Sequence, residues 1–160
     1  GGILKEGQER LFLVSTTHGA EMAGLGAFKK TMEIYQRDDV VKSMWTNGGN
    51  LQSGINDLAK IYGLEDYVEV DGYACSPSYT TRDLEKNPCL GFRTLLAQEL
   101  VKKGVLMPYI SIASSHNKET LDLTLNAFDN AFKVYKKGLE NGLKTVLESA
   151  IIKPVFRKYN

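Results

Sequence analysis

The sequence lacks several features that would place it in a class at once. No apolar run reaches the roughly 18 residues that a membrane-spanning helix needs. The net charge of +1 is too small to indicate nucleic acid or an anionic membrane as the main partner. The only two cysteines, Cys75 and Cys89, form neither a C-x-x-C pair nor a disulfide framework. We therefore expect a soluble cytoplasmic protein with neither nucleic acid nor membrane as partner.

Signatures of common catalytic sites are equally sparse. The two histidines, His18 and His116, are far apart and have no second ligand at metal spacing, which argues against a zinc site. No glycine fingerprint of the Walker or Rossmann type occurs. The lysines stand mostly in pairs on helical patterns, and none lies in the desolvated setting that a Schiff-base lysine needs. The residues themselves therefore assign no catalytic group within this chain.

Hydrophobic periodicity predicts an α+β chain. Apolar residues spaced three and four apart predict four helices, with stripes over residues 22–35, 41–62, 92–100 and 121–139. Alternating or apolar runs predict strands at residues 11–14, 67–70, 72–80 and 105–113. Asn117 is expected to cap the last helix. The order of elements from residue 64 onward indicates an antiparallel or mixed sheet with helices on one face.

The turn Ser15-Thr16-Thr17-His18-Gly19 is the strongest local hypothesis for chemistry. It joins the first predicted strand to the first predicted helix, where unpaired N–H groups and the helix dipole attract anions. The hydroxyls of Ser15, Thr16 and Thr17 would add donors for a phosphate. Serine and threonine are also preferred N-caps, so one of them could simply cap the helix, and the residues alone favour that plainer interpretation.

The chain also resembles a known family. The run ERLFLVSTTHGAE at residues 9–21 is similar to the class III aminotransferase segment in which a strand leads to a threonine and then to a small-residue helix. The similarity continues in order through Asp39-Val40-Val41, Val68 to Ser76, Phe92-Arg93-Thr94-Leu95, Gly104-Val105-Leu106-Met107-Pro108, the last helix and Pro154 to Asn160. The series spans nearly all of the 160 residues and most resembles the glutamate-1-semialdehyde 2,1-aminomutase-like members.

The resemblance implies the C-terminal part of a fold-type-I enzyme that depends on pyridoxal 5'-phosphate. Residues 1–37 would end an α/β large domain, residues 38–63 would form a linking helix, and residues 64–160 would form an α+β C-terminal small domain. The family threonine matched by Thr16 binds the cofactor phosphate of the neighbouring subunit, with Ser15 and Thr17 as possible helpers. The resemblance thus implies a homodimer that acts on a small-molecule amino donor and acceptor.

The same resemblance places the covalent anchor outside this chain. The family's Schiff-base lysine, and the aspartate that partners the pyridine nitrogen, lie before the position of residue 1. The isolated segment is therefore expected to be inactive, whereas the parent would be an aminotransferase or an aminomutase. The run Pro108 to Ala113 is shorter than the corresponding aminomutase stretch and lacks its glutamate, which leaves the substrate open. The alternative interpretation is a non-catalytic α+β module that dimerises or binds a partner.

Overall fold

The computed structural model describes residues 21–153 of the chain. The chain divides into two compact units, Gly1–Val40 and Val41–Asn160. The elements in order are α1 (Met22–Arg37), α2 (Val40–Tyr62), β1 (Val68–Tyr73), β2 (Ser76–Thr81), α3 (Leu90–Lys102), α4 (Lys118–Asn141) and a 3-10 turn (Leu143–Thr145). The strand predicted at residues 11–14 lies outside the described residues.

Helix α1 is the described part of the first unit. Its predicted apolar stripe is present, but no residue of the helix is buried, and Met22 and Phe28 are 82% and 64% exposed. The helix ends at Arg37, whose guanidinium donates two hydrogen bonds of 2.6 and 2.7 Å to the carboxylate of Asp38. Helix α1 therefore gains little stability from burial of its own side chains.

The hydrophobic core belongs to the second unit. The three long helices of this unit bury apolar residues of their predicted stripes, and the hairpin covers them with one face. At the start of α2 the stripe stays open, because Val41 and Trp45 are exposed. The fully buried side chains include Ile55, Val68, Leu95, Leu96, Leu100, Phe128, Phe132 and Tyr135. Removal of this apolar surface from water is the main stabilising contribution to the unit.

Strands β1 and β2 form an antiparallel hairpin, in register from Val68 opposite Thr81 to Tyr73 opposite Ser76. The side chain of Asn56 on α2 donates to the carbonyl of Val70 at 2.8 Å and accepts from its N–H at 2.9 Å. An amide side chain thus takes the place of a third strand at this point of the β1 edge, which satisfies backbone groups that would otherwise need water.

The strand predicted at residues 105–113 is wrong. This segment buries Ile110 and Ile112 but pairs with no strand of the described part. Pro108 has no N–H, and its carbonyl accepts from Arg93 at 2.9 Å, while the carbonyl of Met107 accepts from Tyr79 at 3.0 Å. Side chains of Arg93 and Tyr79 therefore bond to the carbonyls of this segment, where a neighbouring strand would do so in a sheet. The α+β class is confirmed, with a sheet of two strands.

Helix α4 begins where its predicted cap lies. The Asn117 side chain accepts from the N–H of Thr120 at 2.9 Å, and the Thr120 hydroxyl accepts from the N–H of Asn117 at 2.9 Å. This reciprocal pair is a capping box, which satisfies two N–H groups at the helix start. The helix ends at Asn141, and Gly142 follows with a φ of 91°.

Beyond Gly142 the chain returns along α3. The N–H of Glu148 donates to the side chain of Gln98 at 2.8 Å, and the N–H of Ile152 donates to the hydroxyl of Thr94 at 3.0 Å. The returning segment therefore runs antiparallel to α3 and has little regular structure. Within residues 21–153, no helix has both the length and the apolar character for crossing a membrane.

Candidate functional site

The predicted phosphate-binding residues Ser15, Thr16 and Thr17 lie outside the described residues, so their geometry stays a prediction. The helix that follows them is described. Helix α1 begins at Met22, and its N-cap is Glu21 in an extended conformation with φ −62° and ψ 136°. The N-cap position of α1 is therefore occupied by Glu21.

The first turn of α1 presents backbone N–H groups that bond to no acceptor among residues 21–153. The first hydrogen bond of the helix runs from the N–H of Leu25 to the carbonyl of Glu21 at 2.9 Å. Within residues 21–153, no acceptor is bonded to the N–H groups of Met22, Ala23 and Gly24. This turn contains no acidic residue, and the Glu21 side chain makes no capping bond. Such a helix start favours a negatively charged group in front of it.

No lysine of the described part is placed to act as a nucleophile. Every lysine between residues 21 and 153 is exposed. Hydrogen bonds that Lys102 donates to the carboxylates of Glu148 and Glu99 raise the pKa of Lys102. The hydrogen bond that Lys133 donates to Asp129 likewise raises the pKa of Lys133. A Schiff-base lysine needs the opposite shift, because only the neutral amine attacks a carbonyl. Lys102 and Lys133 therefore serve surface ion pairs.

His116 holds the loop in front of α4. Its Nδ1 accepts from the N–H of Ala113 at 3.2 Å, and its carbonyl accepts from the Asn47 side chain at 2.7 Å. These bonds tie the loop to α2. In the described ranges, no group of three His, Cys, Asp or Glu residues is arranged to hold a metal ion. The hydrogen bonds of His116 therefore give this residue a structural role.

A cluster of contacts surrounds Arg93, which no sequence motif indicates. This side chain donates to the carbonyl of Tyr79 on β2 at 3.1 Å and to the carbonyl of Pro108 at 2.9 Å. Its guanidinium carbon lies 4.2 Å from the centroid of the Tyr79 ring. Burial raises the pKa of Tyr79, so its hydroxyl stays neutral and donates to Met107. The only hint in the sequence is a positive charge inside the apolar pattern of α3.

The Arg93 cluster holds residues 107–108 against β2. Its guanidinium forms no ion pair with any residue of the described part. Two backbone carbonyls and the face of a tyrosine ring surround the charge instead. A charged donor strengthens both hydrogen bonds, and the ring adds a cation–π contact. We refer to these contacts, between Arg93, Tyr79, Met107 and Pro108, as the arginine strap.

Two cavities open on the second unit. One of about 660 Å³ lies along the first half of α4, beside the ion pair of Lys118 and Asp122. One of about 280 Å³ lies between α2, residues 104–112 and α4, and its lining includes Ser111 and His116. Because Nδ1 of His116 is occupied by the N–H of Ala113, it is not a base for Ser111. Neither cavity combines a nucleophile with a base.

The comparisons with known proteins concern the fold. No protein-family model matches the sequence, and no curated protein matches it. A solved structure that is similar is the pyridoxal-phosphate internal aldimine form of the FumI protein from Sphingopyxis sp. MTA144, with a TM-score of 0.66 and 21% identity. The match covers 81% of this chain and 31% of that protein, so this chain spans about a third of its length. The chain therefore has the fold of a segment of a pyridoxal-phosphate-binding protein.

Proposed function

We propose that this chain is the C-terminal part of a class III, pyridoxal-phosphate-dependent aminotransferase of the glutamate-1-semialdehyde 2,1-aminomutase-like type. The observation that carries the proposal is the fold shared with FumI over 81% of the chain. The ordered series of motifs from residue 9 to residue 160 supports the choice of family. The parent protein would move an amino group between a small-molecule donor and a small-molecule acceptor.

In this proposal Thr16 donates its hydroxyl to the cofactor phosphate of the neighbouring subunit. Ser15 and Thr17 assist, and the unpaired N–H groups at the start of α1 add the positive end of the helix dipole. Bound pyridoxal phosphate supplies the electron sink that amino-group chemistry requires. The anchoring lysine belongs to the part of the parent that precedes these residues. The working protein is a homodimer, and the isolated segment is inactive.

The first test is whether the parent binds the cofactor covalently. The parent protein purified with pyridoxal phosphate is expected to show the absorbance band of lysine-bound cofactor. Treatment with borohydride should remove that band, because the link to the lysine is reduced. A parent that takes up no cofactor, or that has no lysine for it, would contradict the proposed function.

The second test assigns the phosphate contact to Thr16. The substitution Thr16→Val keeps the shape of the side chain and removes its hydroxyl. Since a hydrogen bond to a charged group contributes roughly 1.5–3 kcal/mol, cofactor affinity should fall about tenfold to a hundredfold. Thr31→Val is the matched control, because the Thr31 hydroxyl donates only to the carbonyl of Ala27 at 2.9 Å. Equal affinities of the two variants would show that Thr16 does not hold the phosphate.

One observation favours the alternative of a non-catalytic interaction module. The second unit encloses a contiguous core, and no buried polar side chain of the described part is left without a hydrogen bond. Such a unit has the internal consistency of a domain that folds by itself. The coding sequence upstream of residue 1 separates the alternatives. A long open reading frame with a lysine at a strand end favours the enzyme.

A further inference from the structure

Two Asn-Gly dipeptides occur in the chain, Asn47-Gly48 and Asn141-Gly142. Because glycine has no side chain, its backbone nitrogen is the least hindered in reaching the side-chain amide carbon of the preceding residue. The two dipeptides have the same composition but opposite surroundings. Their reactivity in the folded protein is therefore decided by structure alone.

At Asn141-Gly142 neither reacting group has a hydrogen-bond partner among residues 21–153. Asn141 is the last residue of α4, is exposed, and makes no side-chain hydrogen bond within residues 21–153. The N–H of Gly142 donates to no acceptor of the described part, although its carbonyl accepts twice from Thr145, at 3.1 and 2.7 Å. Gly142 also has a φ of 91°, outside the helical region. The nitrogen and the amide carbon are thus both open to reaction.

At Asn47-Gly48 both groups are restrained. The dipeptide lies inside α2, where the helical ladder engages backbone N–H groups. The Asn47 side chain donates to the carbonyl of His116 at 2.7 Å, which fixes its amide. Gly48 is buried, and a Cβ there would overlap the carbonyl oxygen of Ala74. A reaction at this dipeptide therefore requires that α2 first opens.

We propose that Asn141 is a site of spontaneous deamidation in the folded protein. The Gly142 nitrogen attacks Cγ of Asn141 and loses its proton to solvent base while a C–N bond forms. The bond from Cγ to the amide nitrogen then breaks, and that nitrogen takes a proton from solvent and leaves as ammonia. Water then adds to either carbonyl of the resulting succinimide ring and opens it. The products are aspartate or isoaspartate at position 141, and the net reaction consumes water and releases ammonia.

The product changes the junction between α4 and the returning segment. A carboxylate at position 141 lies at the negative end of the α4 dipole, which is an unfavourable position for an anion. Isoaspartate also lengthens the backbone two residues before Leu143, whose side chain occupies the space beside Gly91 of α3. The N–H groups of Glu148 and Ile152 donate to Gln98 and Thr94 of α3. Their hydrogen exchange with solvent should therefore be faster after the reaction.

The test compares the two dipeptides in one molecule. The 160-residue chain is incubated folded, and in parallel unfolded in urea, at mildly alkaline pH. Mass spectrometry of peptides then measures conversion at Asn47 and Asn141. In the folded chain, conversion at Asn141 should be faster by roughly tenfold or more, because Asn47 reacts only after local unfolding. In urea the two rates should be similar.

A variant gives the control for position 141. Asn141→Gln keeps an exposed amide but lengthens the side chain, so the five-membered ring cannot form and conversion at this position should be lost. Equal rates at Asn47 and Asn141 in the folded chain would overturn the proposal. It would also be overturned if Asn141 reacted in urea and stayed unchanged in the folded protein.

Discussion

Tyr135 places a hydroxyl group inside the hydrophobic core, where it must be hydrogen-bonded. Its side chain is fully buried, its hydroxyl donates to the carbonyl of Arg82 at 2.7 Å, and it accepts from the N–H of Arg82 at 3.1 Å. Tyr135→Phe removes that hydroxyl and leaves the carbonyl without this donor. The free energy of unfolding should fall by about 1–3 kcal/mol, which urea denaturation measures. Val134→Ile, at a half-buried neighbour, is the control for a mild change on α4.

The same residue makes stability depend on alkaline pH. Burial raises the pKa of Tyr135 above its ordinary value. The folded chain therefore keeps a proton that the unfolded chain releases above about pH 10, so stability is complete below that pH and falls as the pH rises. Unfolding curves should show a steeper loss for the wild type than for Tyr135→Phe. Parallel pH profiles of the two proteins would contradict this expectation.

At Gly48 the packing leaves no room for a side chain. A Cβ there would overlap the carbonyl oxygen of Ala74 in the hairpin turn, whereas a Cβ at Gly49 would make an ordinary contact of 3.8 Å with Ala74. Gly48→Ala should destabilise the chain by about 1–3 kcal/mol, because the turn must move. Gly49→Ala is the matched control and should be neutral, or stabilising by up to about 1 kcal/mol, because alanine is the better helix former. Thermal or urea unfolding distinguishes the two.

At the scale of elements, the capping box of α4 is open to a direct test. Asn117→Ala removes the acceptor for the N–H of Thr120 and should destabilise the chain by about 0.5–2 kcal/mol. Asn126→Ala is the control, since Asn126 lies exposed inside the same helix and its side chain makes no bond within the described residues. Urea unfolding of both variants separates a loss of capping from a general effect of asparagine removal. An equal effect of both changes would contradict the capping argument.

The helices were predictable because their signals are local. A stripe such as Phe128, Phe132 and Tyr135 repeats within one element, and Asn117 lies next to the N–H groups that it satisfies. The strand prediction for residues 105–113 was wrong for the opposite reason. Its apolar residues suggest a strand, but the groups that engage its carbonyls, Tyr79 and Arg93, belong to other elements. No periodicity within the segment reports such a partner.

The site was predictable to a smaller extent. Ser15, Thr16 and Thr17 can be chosen by residue type and by resemblance, but they lie outside the described residues, so their hydrogen bonds stay a prediction. The identity of the N-cap of α1 was beyond the sequence, since serine and threonine are preferred there and Glu21 occupies the position. Free N–H groups at the helix start follow from the helix itself. What they bind depends on residues that approach from elsewhere.

For the whole molecule, the two units should differ in protection from hydrogen exchange. Helix α1 has 16 residues, two interior glycines (Gly24 and Gly26) and no buried side chain, so it resembles an isolated helix of marginal stability. The core of the second unit instead opens only when that unit unfolds. In the monomeric 160-residue chain, amides of residues 22–37 should exchange far faster than those of α4. Protection of α1 equal to that of α4 at low protein concentration would contradict this.

The arginine strap has a consequence for the behaviour of the molecule in salt. In an exposed ion pair such as Lys118 with Asp122, two full charges attract each other through water. Added salt screens this attraction and weakens the pair. Arg93 instead meets carbonyl dipoles and a ring at contact distance, where few ions can intervene. A salt concentration high enough to weaken the surface ion pairs therefore leaves residues 107–108 bound to β2.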